Sequence, residues 1–294
     1  MLTVAEAFSK FKSRLELTPP EQEDASRRQR RIRELLAAEF DVEQDFLTGS
    51  YRRHTKTKPL KDVDIFVVLG EGADHYRNEH PGEVLNAVND VLALEYGGHR
   101  VEIQRRSVRV DFGLTLADDL EQVTSFDVTP AFSVDDHFII PDRESEDWMP
   151  TDPKIHETRA TEANQRCDTR WKPLVKMIKK WNEHHDKPIR PSFLIEVMSL
   201  DLLTTWGGSY PRELKAWFAT ASYAIDEVWP DPADLGHPVS DKMSGDGQLL
   251  DGARRAIRQA EATCTAALNH DAAGHTGQAL DLWQGLFGPA FAKS

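Results

Sequence analysis

The sequence predicts an α+β fold in two lobes, the first built on a mixed sheet and the second on helices. Short apolar or alternating runs recur between Phe46 and Ile140, bounded by turn residues, as strands do. The stretch PDRESEDWMPTDPK that follows is rich in proline and acid and reads as a linker. Beyond it, RWKPLVKMIKKWNEHH, PSFLIEVMSLDLLTTW and GARRAIRQAEATCTAALNH carry apolar residues at helical spacing. The expected lobes are therefore residues 1–150, which include the N-terminal helices, and residues 151–294.

The N-terminal forty residues read as helix. Val4, Ala7, Phe8 and Phe11 share a face, and the pattern resumes through RRQRRIRELLAAEF after a break at Pro19 and Pro20. The arginine run 27–33 reads as a solvated helix face with acidic partners such as Glu34. The strand candidates are DVDIFVVL (62–69), VEIQ (101–104), SVRVDFGLTL (107–116), SFDVTPAF (125–132) and HFIIP (137–141). PGEVLNAVNDVLALEY, opening at Pro81, is the helix between the first two. WPDPADLGHPVSDKMSGDGQ separates the later helices as a loop.

Composition narrows the function classes. The chain has 294 residues, 39% of them hydrophobic, which is ample for a core. No apolar run approaches the roughly 20 residues needed to span a bilayer, and MLTVAEAFSKFKSRL has no signal segment, so a soluble, intracellular protein with no membrane partner is expected. The net charge of −13 argues against a long nucleic-acid track but not against small phosphorylated ligands. Cys167 and Cys264 are too few for a disulfide framework or a thiolate zinc site and read as buried thiols. His184 and His185 point about 100° apart on a helix and read as charge at its C-terminus rather than as a metal pair. Trp148, Trp171, Trp181 and Trp283 read as core.

The chemistry concentrates in GSYRRHTKTKPLKDVDIFVVL, residues 49–69. Asp62 and Asp64 alternate with Val63, so both side chains face one side of a strand. Two such carboxylates repel unless a cation lies between them. Hard divalent ions bind through one or two carboxylates plus substrate phosphates, and a third carboxylate from a neighbouring strand would complete a two-metal site. Asp111 and Asp127 are both candidates for that third acid. Gly49 allows close backbone approach to a phosphate, and Ser50 adds a hydroxyl. Arg52, Arg53, Lys56 and Lys58 form the basic run between.

The Gly-Ser, the dozen residues after it and the D-x-D at the head of an apolar strand resemble the polymerase-β-like nucleotidyltransferases. Within that superfamily the stretch resembles the CD-NTases of bacterial CBASS antiphage systems, relatives of cyclic GMP-AMP synthase and 2′-5′ oligoadenylate synthetase. SVRVDF, SFDVTPAF and FIIPDR resemble the family's third-carboxylate region. WKPLVKMIKKWN with PSFLIEV resembles its helical lobe, and DLWQGLFGPAF its C-terminal end.

The resemblance implies a nucleotidyltransferase lobe with mixed sheet followed by a helical lobe. The implied activity joins nucleoside triphosphates, ATP among them, into a cyclic di- or trinucleotide or short oligonucleotide second messenger, releasing pyrophosphate. It implies two Mg²⁺ ions, replaceable by Mn²⁺, held by Asp62, Asp64 and Asp127, the last chosen because FDVTPAF matches the family's segment. Nucleotide contacts are expected from Gly49, Ser50, Thr55, Lys179 and Ser192; Lys176 and Lys180 lie on the same helix as Lys179. The setting it implies is a bacterial cytoplasm, with a monomeric enzyme whose product is read by a downstream effector. The alternatives are transfer to a macromolecule, such as a tRNA end or a protein hydroxyl, and a silent nucleotide-binding protein.

Overall fold

A computed structural model describes residues 2–114 and 121–292. The contacts divide the chain into two units, Leu17–Ile155 and Met1–Glu16 with His156–Ser294. This division differs from the expected boundary at residue 150. The first sixteen residues pack with the helical unit because α1 (Val4–Leu15) buries Val4, Ala7, Phe8, Phe11 and Leu15 in that unit's core.

The sheet unit begins with α2 (Pro19–Glu39), where Thr18 and Glu21 form a reciprocal capping box that brackets the two prolines of its first turn. Its arginines meet acids, as expected: Arg28 bonds Asp24 at 2.7 Å and Arg31 bonds Glu95 at 2.8 Å. Then come β1 (Val42–Thr48), the single-turn α3 (Gly49–Arg52), β2 (Asp62–Leu69), a 3₁₀ segment (Glu71–Asn78) and α4 (Gly82–Tyr96). The strands β3 (Val101–Ile103), β4 (Val108–Asp111), β5 (Ser125–Val134), β6 (His137–Asp142) and β7 (Asp147–Thr151) follow. Thr115 and Leu116, the end of the expected strand SVRVDFGLTL, lie outside the described residues.

The sheet is mixed, in the order β1-β2-β5-β4-β3, with β6 on the far half of β5 and β7 on β6. Among the described residues only β2 and β5 run parallel; the other pairings are antiparallel. Val63, Ile65, Val67, Phe126 and Val128 point to one face and form a core with Ile32 and Leu36 of α2 and Val84, Leu85, Val88 and Leu92 of α4. Phe66 lies on the opposite face and packs against Phe46 and Phe138 with ring centroids 5.2 and 5.3 Å away. Each strand of the sheet's centre therefore has an apolar side fixed by helices, which sets its register.

The stretch expected to be a linker is instead the β6–β7 hairpin. Glu144, Glu146 and Asp147 are exposed, but Asp142 is not. Asp142 is buried and accepts bonds from Arg105 Nε (2.7 Å), Arg106 Nε (2.8 Å) and the Glu144 amide (3.0 Å). Burial opposes its ionisation, but the two guanidiniums outweigh this and hold its carboxyl well below the usual carboxylate range.

The helical unit continues with α5 (Pro153–Arg166), α6 (Trp171–His184), α7 (Phe193–Leu202), α8 (Tyr210–Ala224), the short α9 (Asp241–Ser244), α10 (Gly247–Ala272) and α11 (Thr276–Phe287). Trp171, Trp181, Trp217 and Trp283 are fully buried, and Phe8 of α1 meets Trp283 and Phe291 edge-on. Cys167 and Cys264 are buried free thiols. His185 bonds the Leu286 carbonyl at 3.1 Å, and burial lowers its pKa, so it fastens α6 to the end of α11 and does not supply the charge expected there. No helix among the described residues is long and apolar enough to cross a membrane.

Asp142→Asn leaves Arg105 and Arg106 without their shared carboxylate and should cost about 2–4 kcal/mol. Because the folded pKa is depressed, this stabilisation is present above the unfolded carboxylate value and lost as the pH falls. Thermal melts from pH 7 to pH 3 should show the variant's deficit shrinking at the acid end.

Candidate active site

The site is assembled by strand register. The parallel pairing of β2 and β5 sets Asp64 opposite Asp127 and Asp62 opposite Ser125. On the other edge of β2, Thr48 lies opposite Asp64; on the far side of β5, Arg109 lies opposite Asp127. One row of side chains thus crosses four strands as Thr48, Asp64, Asp127 and Arg109. Val63, Ile65, Phe126 and Val128 turn the other way into the helix-covered core, so the alternation forces the three acids onto the open face.

The two candidates for the third acid stand at different places in the sheet. Asp127 neighbours Asp64 directly. Asp111 lies one strand farther out, opposite Ser125, exposed, with its Oδ1 accepting the Gly113 amide at 2.7 Å.

The acids differ in electrostatic setting. Asp64 carries the strain: burial, then the charges of Asp127 and Asp62, push its carboxyl up to about 6 against the pull of Lys56 and Arg53. Burial also opposes ionisation of Asp62, but the Lys56 ammonium 2.9 Å away overrides it and lowers the pKa. Asp127 is gripped at both oxygens by Arg109, at 2.8 and 2.9 Å.

The Gly-Ser turn presses on the same group. Gly49 has φ +61°, and a Cβ there would lie 1.8 Å from Asp64 Oδ2. Only glycine meets both demands. The Ser50 carbonyl accepts the amides of Thr55 (2.9 Å) and Lys56 (3.0 Å), which folds the chain back so that Lys56 reaches Asp62. Thr55 is fully buried, and its hydroxyl faces the Ser50 carbonyl at 3.4 Å.

The remaining two expected contacts lie in the helical unit and are not brought together with the acids within one unit. Lys179 on α6 is half-buried and bonds Glu196 of α7 at 2.5 Å, so its charge is met by a carboxylate. Lys176 bonds Glu16 at 2.5 Å, and Lys180 bonds Glu183 at 3.3 Å. Ser192 is exposed and precedes α7 without capping it through its side chain. Arg109 is the site residue that the sequence alone does not single out; its only signal is a place in the alternating run VRVD.

The model of the Second Messenger Oligonucleotide or Dinucleotide Synthetase domain matches residues 2–164. The chain belongs to that family. It is a nucleotidyltransferase of the cyclic-oligonucleotide synthase kind, as the Gly-Ser and D-x-D pattern suggests. It is 29% identical to a "Probable cyclic nucleotide synthase" of Bacillus cereus (strain VD146), over 83% of this chain and 80% of that protein. It is 27% identical to the "Cyclic AMP-AMP-AMP synthase" of Acinetobacter sp. (strain ATCC 27244 / 9458), over 100% of this chain and 87% of that one. Among solved structures, E. coli MS115-1 CdnC in its HORMA-deltaN complex has a TM-score of 0.73 at 17% identity, covering 98% of both chains. Bradyrhizobium diazoefficiens CdnG with GTP has a TM-score of 0.71 at 15% identity, covering 96% of this chain and 95% of that one. These structures share the fold.

The donor set fits a hard divalent cation. Three carboxylates on adjacent strands supply oxygen ligands, and the raised pKa of Asp64 marks a surplus of negative charge that a cation would relieve. Among the described residues no three potential ligands already stand in a metal cage; Lys56 pairs with Asp62 and Arg109 with Asp127.

That surplus has a stability cost. A carboxyl raised to about 6 disfavours folding progressively as the pH rises from the unfolded value to 6, and fully above it. In EDTA, Asp64→Asn should therefore gain on the wild type by about 2 kcal/mol at pH 7.5. Melts at pH 4 should bring the two proteins close together.

Proposed function

We propose that this chain uses Asp62, Asp64 and Asp127 to join nucleoside triphosphates into a cyclic di- or trinucleotide, or a short oligonucleotide, with release of pyrophosphate. The product acts as a second messenger in antiphage signalling and is read by a downstream effector. The observation that carries the reading is the in-register pairing that sets Asp64 against Asp127 beside the Gly49 turn. ATP among the substrates is supported by a relative named for a triadenylate product and by a solved structural relative described with ATP.

The residues divide the work as follows. A ribose hydroxyl attacks the α-phosphorus of a second nucleotide, and the bond from that phosphorus to the bridging oxygen breaks as pyrophosphate leaves. Asp62 and Asp64 would hold two divalent ions, Mg²⁺ or Mn²⁺, which would neutralise the triphosphate; Asp127 would join them on the catalytic ion and face the attacking hydroxyl. When bound, the ions lower the hydroxyl's pKa and offset charge on the leaving oxygen. Asp127 directs the hydroxyl and accepts its proton. The Gly49–Ser50 turn, lacking a Cβ at Gly49, brings backbone close beside Asp64, where the phosphates would lie. The aromatic packing of Phe66, two residues beyond Asp64, stiffens the strand that carries both acids.

The test is incubation of the purified protein with labelled nucleoside triphosphates and Mg²⁺ or Mn²⁺, followed by phosphatase and separation. A small phosphatase-resistant product is expected, reduced at least about a hundredfold in Asp64→Asn. Label on added tRNA or on protein, or wild-type yield from Asp64→Asn, would overturn the reading.

A further inference from the structure

Arg109 stands where a cation for the third acid is needed. It is the cross-strand partner of Asp127, and its guanidinium forks onto both carboxylate oxygens. Such a two-point grip is strong and oriented, and it occupies the lone pairs a metal would use. On its other side, Arg109 is the cross-strand partner of Glu102 on β3. Both point to the same face as Asp127, because directly paired residues share a face. Arg109 is 37% exposed against 13% for Asp127, so its stem has room to turn toward solvent while the acid has less. Arg109 thus lies between two carboxylates, one inside the acid cluster and one exposed on the outer strand.

We propose that Arg109 is a positioning residue that acts as a built-in counter-cation: it holds Asp127 in the metal-free protein and yields it to a divalent ion by shifting toward Glu102. This rests on the reading of Asp62, Asp64 and Asp127 as metal ligands. Lys56 plays the parallel part at Asp62, but the loop that carries it has other duties, and Arg109 gives the cleaner test. The arrangement keeps like charges in register without a bound ion and sets a threshold for loading. Removing Arg109 leaves Asp127 unpaired beside Asp64. The metal-free protein loses stability, and a divalent ion meets a more negative site with no competitor.

The experiment is a titration of free Mn²⁺ by electron paramagnetic resonance, without nucleotide, on wild type, Arg109→Gln, Arg109→Lys, Glu102→Gln and Asp64→Asn. Arg109→Gln should bind Mn²⁺ about tenfold more tightly than wild type while melting lower in EDTA. Glu102→Gln, which removes the alternative partner, should weaken binding about threefold. Arg109→Lys keeps the charge but loses the fork and should tighten binding about threefold; it carries the test alone if the Gln variant does not fold. A merely structural Arg109 would give weaker or unchanged Mn²⁺ binding in both its variants. That result, with wild-type binding intact and lost in Asp64→Asn, would overturn the counter-cation role and leave the metal reading standing. No saturable Mn²⁺ binding in wild type or Arg109→Gln would overturn both.

Discussion

The structure turns on one pairing, the parallel register that lays β2 beside β5. It places Asp64 next to Asp127, an arrangement of like charges that no folding force favours by itself. The opposite faces of the same strands hold it in place. Val63, Ile65, Phe126 and Val128 are buried under α2 and α4, and a slip of one residue would send all four into solvent. The hydrophobic core thus enforces an electrostatic conflict. Asp64 registers it as a raised pKa, and Lys56 and Arg109 moderate it.

The site's other features follow from that row. Gly49 can touch the Asp64 carboxylate because it lacks a Cβ and accepts a positive φ. The Ser50 carbonyl closes the turn and delivers Lys56 to Asp62. Phe46, Phe66 and Phe138 fill the same face farther along β2, so the acids sit at the end of an otherwise apolar surface. Rigidity here is an advantage, since phosphoryl transfer depends on position and charge more than on covalent help from the protein.

Much of this was legible in the residues themselves. Alternation in DVDIFVVL and SFDVTPAF puts the acids on one face, and the glycine before the basic run marks the turn. Partners across strands were not legible, because register belongs to two segments at once. VRVD does not say that Arg109 will meet Asp127, and Asp111 stays a rival until the strands are paired. The hydrogen bond from Thr55 to the Ser50 carbonyl is equally absent from the sequence pattern, because a hydroxyl serves surfaces and turns alike. The strand β7 was hidden by the acid and proline content around it; Asp142, at the end of β6, is neutralised by Arg105 and Arg106, 37 and 36 residues earlier in the chain. The edge strand β1 was hidden by VEQDFLT, half polar and only partly buried. The helix α5 was missed because PKIHETRATEANQR buries little beyond Ala160 and Ala163.

The most direct measurement is anomalous diffraction at the manganese edge from crystals grown with Mn²⁺ and a non-hydrolysable ATP analogue. The account predicts manganese bound by carboxylate oxygens of Asp62, Asp64 and Asp127 at ordinary oxygen-ligand distances, with the triphosphate beside Gly49. Manganese held by the phosphates alone, away from the three carboxylates, would contradict it.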